Sequence, residues 1–121
     1  MDGRGASNAK ILVVEDDPAF RRVLCLLLGD RYDVREAGSA GEARAACPPE
    51  LDVLLIDLNI AGVEGVGLAK ELRRTATQAR VVYMSGTPHA DTNVKSEDTL
   101  LAKPFTREQL LDAVGEALAE G

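Results

Sequence analysis

Four stretches of this chain place chemically useful side chains where apolar runs end. "ILVVEDDP" leads from four apolar residues into Glu15, Asp16 and Asp17, and "VLLID" ends on Asp57. "VVYMSG" runs into Ser85 and Gly86, and "LLAKPF" carries Lys103. Taken singly, each has an ordinary explanation, because strands stop at polar residues and lysines sit in water. Taken together they are a set of acids, a hydroxyl and an amine, which independent accidents rarely assemble. Two unit charges about 4 Å apart repel by roughly 4 kcal/mol at an effective dielectric near 20. Carboxylates brought together therefore need a cation or must take up protons. A hard divalent ion such as Mg²⁺ fits, since it uses one or two carboxylates with waters and a phosphoryl oxygen. A carboxylate held beside that ion can attack phosphorus. The metal, an ammonium and a hydroxyl then hold the equatorial oxygens.

Such side chains meet only if the elements before them share a direction. Lys10 to Val14 is a β-branched apolar run, expected as a strand. Asp17 reads first as the cap of the next helix, with Pro18 at its first position. Phe20, Val23, Leu24, Leu27 and Leu28 share one helical face, and Gly29 suits the stop. "YDVREA" is a weaker strand, and Ser39 with Glu42 forms a capping box for a helix ended by "CPPE". Val53 to Asp57 is apolar throughout until its last residue, as a parallel strand buried on both faces must be. A helix from about Gly65 to Arg74 turns Leu68, Ala69 and Leu72 inward. "RVVYMSG" and "TLLAKPF" supply two more strands, and Thr106 with Gln109 caps a last helix with Leu110, Leu111, Val114, Ala117 and Leu118 on its apolar face. Five βα units imply an α/β fold, a doubly wound parallel sheet with helices on both faces. The fourth helix is weak, because residues 87–99 lack apolar periodicity. All strand C-termini then point to one edge, and the reactive set collects there.

Composition excludes other classes. With 121 residues, 45% hydrophobic and 28% charged, the chain reads as one soluble domain. A net charge of −6 argues against direct nucleic-acid binding, and the apolar runs are too short to span a membrane. Residues 1–9 read as a flexible leader or linker remnant, and they lack the apolar stretch of a signal peptide. Cys25 and Cys47 show no metal or redox spacing; both read as reduced thiols of a cytoplasmic protein, with Cys25 in the core.

At this point the sequence resembles the receiver domain of two-component response regulators, over essentially all of residues 10–119. "ILVVEDDP" is similar to the family's first strand and acidic pair, which places the pair at Glu15 and Asp16 and leaves Asp17 outside it. "LLIDLNIAGVEG" resembles the phosphoacceptor strand and loop. The likeness implies Asp57 as acceptor, Glu15, Asp16, Asp57 and the Asn59 backbone carbonyl as Mg²⁺ ligands, and Gly65 as the loop's closing glycine. "VVYMSG" and "AKPF" match the family's Ser/Thr and Lys-Pro. They imply Ser85, Gly86 and Lys103 as phosphate-binding, and a cis bond between Lys103 and Pro104. The family's flavodoxin-like fold has strand order 2-1-3-4-5, with the site at the switch point between the first and third strands. The implied function is phosphoryl transfer from a histidine kinase or histidine phosphotransfer domain onto Asp57. No enzyme activity is implied beyond the domain's own phosphorylation and dephosphorylation.

The departures define what to look for. Ala61 stands where the family commonly has proline, a change expected to loosen the loop without touching the chemistry. Leu100 replaces the usual switch aromatic and is expected to be buried, with Ser85 as the other switch residue. Ser85 and Lys103 are 18 positions apart, a few fewer than in typical members. The short "MSG" to "LLAKPF" segment is similar to receivers fused to hybrid histidine kinases. Two rivals are a pseudo-receiver, a binding module that would lack a key residue, and a haloacid-dehalogenase-like phosphatase. The latter class has an acid two residues after the nucleophile, where this chain has Asn59.

Overall fold

Lys10–Val14 forms the first strand (β1), with Ile11, Leu12, Val13 and Val14 all buried. A strand buried on both faces needs a layer above and a layer below. The structure, a computed structural model, describes residues 9–86 and 98–120 and supplies both. After β1 come α1 (Pro18–Leu28), β2 (Asp33–Ala37), α2 (Ala40–Ala46) and β3 (Val53–Asp57). A short hairpin of β4 (Asn59–Ile60) and β5 (Val63–Glu64) follows. The chain continues through α3 (Gly65–Leu72), β6 (Arg80–Ser85), β7 (Thr99–Ala102) and α4 (Arg107–Glu120). Among the described residues, five strands pair in parallel in the order β2-β1-β3-β6-β7. Setting the hairpin aside, this is the expected 2-1-3-4-5 order. The expected weak fourth helix falls on residues 87–97, outside the described residues.

Alternation along each strand divides the core in two. Leu12, Val14, Leu54 and Ile56 face α2 and α3, where Ala43, Leu68 and Leu72 meet them. Ile11, Val13, Val53 and Leu55 face α1 and α4, where Leu24, Leu28, Leu110 and Val114 meet them. The caps follow local chemistry. Asp17 accepts from the N–H groups of Ala19 and Phe20. Thr106 and Gln109 bond reciprocally. Ser39 accepts from the Glu42 N–H at 3.1 Å, but the Glu42 carboxylate reaches the Gly38 N–H at 2.6 Å rather than that of Ser39.

Three expectations need correction. Val23 is 48% exposed rather than buried, and its neighbour Leu26 is 67% exposed. The inward stripe of α1 runs through positions 21, 24, 25 and 28, one step round the helix from Val23, so Arg21 stands where the apolar pattern left no polar residue. Cys25 lies half-buried against the core rather than inside it. Helix α3 stops at Leu72, short of Arg74.

The Leu58 to Glu64 segment is more ordered than a loop. Asn59 pairs with Glu64 and Ile60 with Val63, leaving a two-residue turn of Ala61 and Gly62 with φ of 52° and 90°. Positive φ at both central positions is the type I′ pattern that suits a twisted hairpin. Gly62 adopts it freely, whereas an L side chain in this region costs roughly 1–2 kcal/mol. The Ala61 N–H donates to Asp16 Oδ2 at 3.1 Å, so this residue does touch the acidic edge. Proline has neither the positive φ nor the N–H. Ala61→Gly should therefore stabilise the protein by about 0.5–1 kcal/mol in chemical denaturation, after the greater freedom of glycine in the unfolded chain is set against the relieved strain. Ala61→Pro should destabilise by about 2 kcal/mol or more. A proline variant as stable as the wild type would show that the turn does not hold this form.

Candidate functional site

Parallel strands bring their C-terminal ends to one edge, and register decides which residues become neighbours. Val14 pairs with Ile56, so Glu15 follows beside Asp57. Asp57 pairs with Met84, and Ser85 with Ala102, the residue before Lys103. The Lys103 N–H then donates to the Ser85 carbonyl at 2.8 Å and fixes the start of the lysine. The bond from Lys103 to Pro104 is cis.

The lysine side chain returns across the edge. Its ammonium donates to Glu15 Oε1 at 2.9 Å and to Asp57 Oδ2. It also lies 4.8 Å from the centroid of the Phe20 ring, which Phe105 flanks at 5.8 Å, so a cation–π contact supports it from below. The second oxygen of each acid is held by backbone. Glu15 Oε2 accepts from the Asp17 N–H at 3.0 Å, and Asp57 Oδ1 accepts from the Asn59 N–H at 2.9 Å. Glu15 is 2% exposed. Burial holds its carboxyl above the usual carboxylate range, although the Asp17 N–H and the Lys103 ammonium pull the other way. Burial also works against the charge on Lys103, but the hydrogen bonds and charges of Asp57 and Glu15 outweigh it and hold the ammonium above its ordinary value.

The remaining residues divide into those brought in and those held apart. Ser85 is buried at the end of β6, and Gly86 beyond it is exposed. Asp16 is exposed, with its carboxylate turned to the Ala61 N–H. The Asn59 side chain accepts from the Gly62 N–H at 2.8 Å, which ties the hairpin turn to its own base. Gly65 donates its N–H to the Leu58 carbonyl at 2.7 Å, and a Cβ there would overlap the Asp57 carbonyl oxygen. Leu100 is half-buried rather than buried, because β7 is the edge strand of the sheet. The sequence pattern places Phe20 on an apolar helix face and Ala61 in a loop without giving either a contact with this edge, and it does not single out Arg21.

The donor chemistry suits a hard divalent cation. Two carboxylates share one ammonium and a third, that of Asp16, stands at the adjoining turn; every donor is oxygen, and burial makes the Glu15 charge costly to leave uncompensated. In the arrangement described, Lys103 lies between Glu15 and Asp57 while Asp16 is engaged by Ala61. Accordingly, no three acidic, histidine or cysteine side chains converge as a metal-binding group among the described residues. A cation would have to compete with an ammonium and a backbone N–H for the same oxygens.

Comparison with known proteins agrees with this geometry. The family model for the response regulator receiver domain matches residues 11–115. The nitrate/nitrite response regulator protein NarL of Escherichia coli K12 is 30% identical over 119 residues, covering 92% of this chain and 55% of its own length. The transcriptional regulatory protein AruR of Pseudomonas aeruginosa is 34% identical over 85 residues, covering 64% of this chain and 34% of its own length. The chain thus spans about half or less of the curated relatives it matches. Among solved structures, the receiver domain from the hybrid histidine kinase CckA is 32% identical with a TM-score of 0.78, covering 91% of this chain and 99% of that one. TrrA from Thermotoga maritima, solved in complex with Mg²⁺–BeF, is 25% identical with a TM-score of 0.76 and the same coverage. No helix among the described residues is long and apolar enough to cross a membrane. The acids, the hydroxyl and the lysine gathered on one sheet edge, and the family match across nearly the whole chain, lead to one conclusion: this chain belongs to the response regulator receiver domains of two-component signalling.

Proposed function

We propose that this receiver takes a phosphoryl group onto Asp57 from the phosphohistidine of a histidine kinase or histidine phosphotransfer domain, and answers with a change of conformation. One observation carries the reading. A single ammonium, that of Lys103, joins the carboxylates of Glu15 and Asp57 at the edge where the strands end. Asp57 is the nucleophile: a carboxylate oxygen bonds to phosphorus as the phosphorus–nitrogen bond breaks, and the imidazole leaves with that electron pair. The Asn59 N–H holds the other oxygen and limits rotation of the side chain. Lys103 carries its positive charge to the transferred group, and Ser85 and Gly86 offer a hydroxyl and an amide. Mg²⁺, held by Glu15, Asp16, Asp57 and the Asn59 carbonyl, would neutralise charge on the transferring oxygens. Ser85 and Leu100 form the switch.

Residues 10–119 are the working unit in this reading, with residues 1–9 as leader or linker. The likeness to the CckA receiver supports a hybrid-kinase context, and the net charge of −6 supports protein rather than nucleic-acid partners. We place the domain in the cytoplasm, where nucleotide-fed kinases form phosphohistidine.

With Mg²⁺ and a small phosphodonor such as acetyl phosphate, mass spectrometry should find one phosphoryl group, labile in acid and in base, on Asp57. Asp57→Asn should abolish it. Phosphate mapped to Ser85 or Asp16 in the wild type would overturn the assignment.

The charge balance gives a second expectation. Glu15 has a raised pKa in the fold, so its contribution is fully present below the ordinary carboxylate value and is lost as pH rises through the folded value. Lys103 also has a raised pKa, so its contribution is fully present at neutral pH and is lost only above the ordinary lysine range. Lys103→Met leaves the acids unpaired and should destabilise the metal-free protein at pH 7–8 by about 2–3 kcal/mol. That is somewhat less than a fully buried pair costs, because part of the lysine meets solvent. As pH falls through the raised range of Glu15 and that carboxylate takes up a proton, the loss should shrink. Mg²⁺ at ten times its dissociation constant adds about 1.4 kcal/mol to the wild type, and should add more to the variant. A loss independent of pH and of Mg²⁺ would mean that Lys103 acts by packing alone.

A further inference from the structure

Arg21 occupies the inward stripe of α1, with a side chain only 19% exposed, and its guanidinium is engaged on two sides. Nε donates to Glu36 Oε1 at 2.9 Å, and Nη1 donates to the backbone carbonyl of Glu15 at 2.9 Å. The N–H of the same Glu15 donates to the Ala37 carbonyl at 3.1 Å. The peptide units on both sides of Glu15 are therefore held from the direction of β2. The second of these units carries the nitrogen of Asp16, so its plane sets the direction in which the Asp16 side chain leaves the backbone. Asp16 is exposed, and no packed shell orients its carboxylate. Its orientation comes from backbone: the Ala61 N–H that donates to Oδ2, and the peptide plane from which the side chain departs. Gly38 completes the arrangement, because a Cβ there would come within 2.6 Å of Arg21 Nη1. The space the guanidinium fills exists because residue 38 has no side chain.

We infer that Arg21 is a positioning residue: through the Glu15 carbonyl, it holds the acidic turn at the angle at which Glu15 and Asp16 present carboxylates to a divalent cation. The inference rests on the metal reading proposed above. It makes a prediction opposite in sign to simple electrostatics. Removing a positive charge near three acids should by itself tighten cation binding, whereas losing the alignment should weaken it. Groups that orient metal ligands commonly change affinity by roughly 10–100-fold when removed, and Arg21 acts through backbone, so the lower end is expected. A lysine keeps the charge but lacks the fork that spans Glu36 and the Glu15 carbonyl together.

The test is a Mg²⁺ titration of the full chain without phosphodonor, by calorimetry and by amide chemical shifts. Arg21→Ala should bind Mg²⁺ about tenfold more weakly, and Arg21→Lys nearly as weakly. In the metal-free protein the Asp16 and Ala61 amides should shift in both. Gly38→Ala, which pushes the guanidinium from its place, should weaken binding several-fold on its own and have no further effect in the Arg21→Ala background. Tighter binding in Arg21→Ala, wild-type affinity in Arg21→Lys, or additive losses in the double variant would each overturn the inference. Because Arg21→Lys and Gly38→Ala are mild changes, the test survives a poorly folding Arg21→Ala. A wild-type chain that ignores millimolar Mg²⁺ would instead remove the metal reading on which the inference stands.

Discussion

One ammonium shared by two carboxylates is the constraint around which this edge is built. Lys103 directly follows the last strand of the sheet, Glu15 directly follows the first in sequence and Asp57 ends the central one, so their meeting ties together the C-terminal ends of three strands. A carboxylate as buried as Glu15 would be costly without that partner, and a lysine so placed would be costly without the acids. Each is therefore acceptable only because the fold delivers the others. This places strict demands on register. A one-residue slip of β1 against β3 would turn Glu15 to the opposite face and leave a charge in the core.

Backbone, rather than side-chain packing, does much of the local positioning. Asp57 is oriented by the Asn59 N–H, Glu15 by the Asp17 N–H, and Asp16 by the Ala61 N–H. Close approach helps as well, since Gly65 lets α3 begin directly against the Asp57 carbonyl. Two positions bear the consequence. Ala61 adopts a conformation more natural to glycine, and Arg21 sits in a stripe that would otherwise be apolar. Both departures from the simplest folding pattern occur within one residue of an acid of the edge, in sequence or through a hydrogen bond. Local rules are expected to break in such places, where function and folding ask different things of the same residue.

Much of this was legible in the sequence. Apolar runs of the right length showed the parallel strands, and caps such as Asp17 and Thr106 marked helix starts, because both signals depend only on near neighbours. The edge set of Glu15, Asp57, Ser85 and Lys103 was legible because parallel strands must deliver their ends together. The rest depends on contacts distant in sequence. Val23 belongs to an apolar pattern as regular as that of Leu24, and only the position of the sheet decides which faces water. Arg21 looks like any exposed arginine until Gly38 and the Glu15 carbonyl appear beside it. Ala61 reads as a loosened loop residue, since nothing local announces that its N–H will find Asp16. Leu100 reads as buried because its side chain is apolar, but an edge strand covers less than a central one.

Sharing also explains how the resting arrangement can be stable and still give way. Asp57 has one oxygen on a backbone N–H and the other on Lys103, so in the proposed reaction an oxygen must loosen its hold before it can reach phosphorus. An ammonium paired with Asp57 alone would be left uncompensated by that step. This one has three donors and a second acid in reach, so it can keep Glu15 while its contact with Asp57 lengthens. The Phe20 ring beneath it favours a cation wherever the hydrogen bonds point, and so softens the change further. The same duality acts on the acids. Each carboxylate of the edge has a partner without metal, the Lys103 ammonium or a backbone N–H. The edge is thus not an open acidic patch that would repel itself. It is a set of charges that can exchange partners while none of them is left alone.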